Sequence, residues 1–132
     1  MARKSISGRP TEKELQILSI LWDRGSSTVR EINKVMNQDQ NTGYTTTLKL
    51  MQIMYEKGLL KRNESAKTHI YLPAQSEAHV QEEVVGSLLD RVFAGSTEKL
   101  VLRALSSKKV SAEELAKIKK VIAEHTRDNN VK

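Results

Sequence analysis

Apolar residues recur along the chain at helical spacing, interrupted once by a short stretch of a different period. Thr11-Glu12-Lys13-Glu14 opens a first helix as a capping box, whose hydroxyl and carboxylate satisfy N–H donors left free by the first turn. Leu15, Ile17, Leu18, Leu21 and Trp22 give it a wide apolar face, and Gly25 is the expected stop. Trp22, spaced with leucines, reads as core rather than as a ligand contact. A second capping box, Thr28-Val29-Arg30-Glu31, starts a short helix with Val29, Ile32, Val35 and Met36 inward, ending at Asn37. After the turn-rich connector NQDQNTG, the stretch 41–58 predicts a helix with two unlike faces. Thr47, Leu50, Met51 and Met54 fall on its apolar side; Thr45, Lys49, Gln52 and Glu56 fall opposite, with Thr46 and Leu48 on the flanks. Gly58 ends it, since a residue without Cβ enters the left-handed region at little cost.

From Leu59 to Leu72 the period changes. LLKRN and KTHIYL, separated by Glu64-Ser65-Ala66, predict a β-hairpin with Lys61, Arg62 and Lys67 at or near its tip, closed by Pro73. Helical spacing then returns. Ser76 caps a long helix in which Val80, Val84, Leu88 and Val92 recur every four residues, and Gly95-Ser96 ends it. Leu100, Val101, Leu102 and Leu105 mark a short helix. A third capping box at Ser111 starts a last one that turns Leu115, Ile118 and Ile122 inward and frays from Thr126.

Two short helices, the second with a polar outward face, form a helix-turn-helix, and a basic hairpin directly after it is a wing. The expected fold is mainly α with a small β-hairpin: a flexible basic arm over 1–10, a winged helix-turn-helix domain over 11–73, a helical dimerisation arm over 74–126 and a frayed tail over 127–132. The three C-terminal helices cannot enclose their own apolar stripes. Symmetrical pairing through Val84, Leu88, Val92, Leu100, Leu102, Leu105, Leu115, Ile118 and Ile122 buries them most simply; the alternative is that they fold back over the winged helix.

Charge sharpens this division. The net charge of +6 favours a polyanionic partner. Residues 1–73 carry 12 Lys and Arg against 7 Asp and Glu, while residues 74–132 carry 10 against 9, so the positive field belongs to the half with the two-faced helix. The chain has no cysteine, which excludes disulfides and thiolate metal sites and fits a reducing compartment. No apolar run approaches the ~20 residues that span a bilayer, and the polar N-terminus has no apolar segment of a secretory signal, so a cytoplasmic location without membrane insertion is expected.

The chemistry this arrangement suits is duplex DNA binding. Base readout is expected from Tyr44, Thr45, Thr46, Leu48 and Lys49, whose hydroxyls, methyls and ammonium match base edges; Tyr44 could equally touch the DNA backbone or stack into the core. Phosphate neutralisation is expected from Arg30, Gln52, Lys61, Arg62 and Lys67. Catalysis is not expected, as no nucleophile elbow, zinc-protease motif or phosphate loop occurs. His69, His79 and His125 are dispersed and read as surface histidines, so neither metal nor cofactor is expected. A winged-helix module that docks on another protein instead of DNA is the competing reading, and the basic wing argues against it.

The stretches EKELQILSILWDRG, STVREINKVMN, GYTTTLKLMQIMYEKGLLKR and LPAQS, followed by LLDRVFAGSTEKLVLRAL and SAEELAKIKKVI, resemble in order and spacing the BlaI/MecI/CopY family of penicillinase-type repressors, from Thr11 to about Glu124. The resemblance implies a dimeric bacterial repressor, a regulator of antibiotic resistance in its best-known branches, that binds dyad operator DNA and works with a membrane-embedded sensor protease. Three departures accompany it. Ile53 stands where a basic residue is common, Arg103-Ala104 stands at the bond cleaved in the penicillinase and methicillin branches, and the cysteine-rich metal motif of the copper-responsive branch is missing.

Overall fold

The computed structural model describes residues 10–38, 40–65 and 67–130. Of the expected basic arm only Pro10 is among them, and Val131 and Lys132 of the expected tail lie outside them. The element order is α1 (Glu12–Arg24), α2 (Val29–Met36), α3 (Tyr44–Lys57), β1 (Leu60–Asn63), β2 (Ile70–Pro73), α4 (Glu77–Val92), α5 (Thr97–Ser107) and α6 (Ala112–Asn130). The chain folds as two units that meet between Val85 and Gly86.

In the first unit, Ile17, Leu18 and Leu21 of α1, Ile32 and Met36 of α2, and Met51 and Met54 of α3 converge with Leu60 and Tyr71 in one core. The capping boxes at Thr11 and Thr28 are both closed, each hydroxyl accepting from the N–H three residues on and each glutamate accepting from the cap N–H. Glu14 goes further than a cap. Its carboxylate is only 3% exposed and also accepts from Lys57 Nζ at 2.8 Å, tying the start of α1 to the end of α3. A buried carboxylate demands such a partner, because its hydration is lost on folding. At Gly58, φ is +86°, and the N–H groups of Gly58 and Leu59 bond back to Tyr55 and Met54, so the chain leaves α3 and enters the wing at once.

The hairpin pairs Leu60 with Pro73, Lys61 with Leu72, Arg62 with Tyr71 and Asn63 with Ile70. Lys61 and Arg62 lie within β1, in the run LLKRN that predicted the strand, and Lys67 sits in the loop between the strands. Asn63 Oδ1 turns the chain after β1 by accepting from Ser65 N–H and Oγ–H. Ser27, expected merely to break the helical pattern, exchanges two backbone bonds with Tyr71 (2.9 and 2.8 Å) and forms a one-residue bridge on the other edge of β2.

The expected domain boundary at Pro73 moves into α4. Val80 is buried in the first core and Val84 packs against it, while Trp22 Nε1–H donates to the Gln75 carbonyl at 3.2 Å. The first turns of α4 therefore cover the winged helix, and Val84, expected in a dimer contact, lies half-buried against the core of its own unit. In the second unit α6 runs to Asn130, past the fraying expected at Thr126, whose hydroxyl instead bonds back to the Ile122 carbonyl at 3.0 Å. Ser96 and Ser111 cap α5 and α6 through Lys99 and Glu114 N–H. No described residue from 86 to 129 is buried.

Candidate nucleic-acid interface

The interface is built on α3, and its aim is set by a polar clamp on the preceding turn. Asn33 Nδ2 donates to the Thr42 carbonyl (2.8 Å) and to Thr47 Oγ1 (2.9 Å). Asn37 Oδ1 accepts from Thr42 N–H at 2.7 Å, and Asn37 Nδ2 reaches Asn33 Oδ1. The clamp closes the connector between α2 and α3 with Thr47 and Thr42 buried, and it pairs the Thr42 N–H and carbonyl and the Thr47 hydroxyl that folding removes from water. Asn33 was not singled out by the sequence, although a polar residue amid Val29, Ile32 and Met36 was a visible signal.

With Thr47, Met51 and Met54 inward, the rest of α3 divides into two strips. Thr45, Thr46 and Lys49 are exposed on the outer side with no carboxylate before Glu56. Tyr44, Leu48 and Gln52 recur every four residues on the flank that faces the wing. There they line an open groove of about 280 Å³, shared with Lys67, Thr68 and His69 of the hairpin loop and floored by Val29 and Tyr71. Tyr44 is 43% exposed, and the Arg30 guanidinium lies 5.2 Å from its ring centroid. Of the two placements left open for Tyr44, burial in the core is ruled out. Arg30, Gln52, Lys61 and Lys67 are exposed.

Arg62 differs from the free cation expected. Its guanidinium stacks 4.0 Å over the Tyr55 ring, and its Nε–H donates to Glu64 at 2.6 Å, leaving the side chain 19% exposed. Hydrogen bonding by Tyr71, and then by Glu64, raises its pKa above the ordinary guanidinium value. A charge with one face covered and an anion at its edge holds β1 against α3. Arg62 is the clip of the wing.

Elsewhere the expected contacts are spread over the second unit. Leu88, Leu100 and Ile118 are half-buried, while Val92, Leu102, Leu105, Leu115 and Ile122 are exposed, at 61% for Val92, 50% for Leu102 and 54% for Ile122. Ile53 lies exposed on α3, and Arg103-Ala104 lies exposed inside α5. Among the described residues no helix is long and apolar enough to cross a membrane, and no group of three or more His, Asp or Glu could hold a metal ion.

The sequence pattern of the family described as Penicillinase repressor matches residues 10–124. The chain belongs to the penicillinase repressor family. The family pattern thus takes in both units, from the start of α1 to late in α6. The penicillinase repressor of Bacillus licheniformis is 23% identical over 115 residues, which are 87% of this chain and 90% of that relative. The methicillin resistance regulatory protein MecI of Staphylococcus aureus is 18% identical over 109 residues, 83% of this chain and 89% of the relative. Among solved structures, the homodimeric winged helix-turn-helix DNA-binding domain of a possible ArsR-family transcriptional regulator from Mycobacterium bovis is similar at a TM-score of 0.49 and 19% identity, covering 71% of this chain and 82% of that one.

Proposed function

We propose that this member of the penicillinase repressor family is a cytoplasmic, non-enzymatic transcriptional repressor that binds dyad-symmetric operator DNA as a homodimer. The observation that carries it is the outer strip of α3: Thr45, Thr46 and Lys49 stand free of carboxylates on a helix clamped at its N-terminus, beside a wing bearing Lys61 and Lys67. In a major groove that strip reads base edges, and Lys61, Lys67 and Arg30 neutralise phosphates. Two copies pair through the exposed leucines, isoleucine and valine of α4–α6, since apolar surface of this extent gains free energy by leaving water. Each copy then reads a half-site, with centres about one helical turn (~34 Å) or a multiple of it apart. A membrane-embedded sensor protease, the partner that the family resemblance implies, would have to unwind a turn of α5 before cutting at Arg103-Ala104.

Selection of bound duplexes from a random pool tests the reading and should return a palindromic consensus. On that duplex Thr46→Ala relaxes the sequence preference, while Lys61→Ala weakens all duplexes alike and reduces the steepness of log K against log salt by about 0.9. Equal losses on every duplex for both variants would abolish the division between reading and anchoring residues. Tight, salt-insensitive binding to an acidic protein with no duplex selected would favour a protein-docking module instead.

A further inference from the structure

The groove between α3 and the hairpin loop holds chemistry that a reading helix and a basic wing do not by themselves require. Its polar lining is the Tyr44 phenol and Gln52 amide on one wall and Lys67, Thr68 and His69 on the other, with no carboxylate among the lining residues. Donors and one fixed cation converging without an anion describe a seat for a small anionic group. At about 280 Å³ and open to solvent, the groove falls below the size that encloses a drug-sized ligand, but it suits a group presented by a larger surface. It also runs beside Thr45 and Lys49, so a duplex strand skirting the outer face of α3 meets it.

We propose that this groove seats one phosphate of the DNA backbone, and that His69, as its imidazolium, is a ligand of that phosphate together with Lys67. The inference rests on the DNA-binding reading above. A phosphate beside an imidazole favours its charged form over its neutral one. Binding then takes up a proton, and by linkage affinity rises as pH falls through the histidine range. Among the described residues, the other charged or titratable groups near the seat are the phenols of Tyr44 and Tyr71, Arg30 on the Tyr44 ring, Lys49 on the adjoining face of α3, and Arg62 with Glu64 beyond Tyr71. These side-chain types ordinarily keep their charge between about pH 6 and pH 8. His69 is thus the group that makes the seat respond to pH.

The test uses the full chain and a random-sequence duplex, because a backbone contact does not depend on base sequence. Wild-type affinity should rise about fivefold from about pH 8 to about pH 6, the size of one partly exposed ion pair. His69→Gln should be flat over that range, and Lys67→Met should bind more weakly at both pH values. In NMR titrations the His69 midpoint should move upward on adding duplex and stay in place with inorganic phosphate, while His79 and His125 serve as references. Duplex binding with the same pH dependence in wild type and His69→Gln would overturn the seat and leave the DNA-binding reading standing. A His69 response to inorganic phosphate but not to duplex would also overturn it. Failure to bind any duplex at either pH would overturn the DNA-binding reading itself.

Discussion

In the first unit, three helices turn their apolar stripes toward one another and leave Ile17, Ile32, Met51 and Met54 with no accessible surface. From Gly86 onward, three helical segments with equally regular apolar spacing bury nothing to that degree, and Leu102, Val121 and Ile122 remain half exposed or more. Both regions are helical, capped and amphipathic. What separates them is closure. The first has a hairpin, the Ser27 bridge and the foot of α4 to cover the open sides of its bundle; the second has no further layer. Amphipathicity states that a face must be covered and leaves open by what.

The sharpest way to break this contrast is to charge the open face. Leu102→Glu with Ile122→Glu should abolish pairing and lower affinity for a dyad duplex by about 10²- to 10⁴-fold, the loss of tethering a second reading head. Sedimentation velocity and anisotropy check it, and the thermal transition of the first unit should remain. A charged variant that stays dimeric would show that another surface pairs the chains. Next in size, Met51→Ala opens a cavity in the closed core and should cost about 2–5 kcal/mol in chemical unfolding, independent of protein concentration. A concentration-dependent loss would mean that the first unit, too, relies on a partner. The smallest effect belongs to the clamp. Asn33→Ala should remove about 1–2 kcal/mol by leaving buried groups at Thr42 and Thr47 unpaired. It should also weaken specific more than non-specific duplex binding, because the aim of α3 loosens while the cations stay. Equal weakening of both would assign Asn33 to stability alone.

The residues proposed for reading and for anchoring were unequally legible. Thr47 stands among buried methionines as its spacing predicts, and Thr45, Thr46 and Lys49 face out, because a helix of known phase distributes its own residues. Arg62 was the less legible of these. Its stacking partner, Tyr55, comes from a different element, and no local pattern states which side of a strand will meet α3. Ser27 became part of the sheet in the same way, through a partner 44 positions later in the chain.

Local chemistry settled where the helices begin, which face each turns inward, that a hairpin follows the third of them, and that cations gather in the first half. Such features depend on residues within a few positions of one another, where spacing and side-chain type dictate geometry. Long-range packing alone decided that Val84 serves the first core, that Arg62 is a clip rather than a free charge, and that a groove opens between α3 and the wing. Those outcomes turn on which surfaces come together when water is expelled, and a one-dimensional pattern carries the need for burial without the identity of the neighbour.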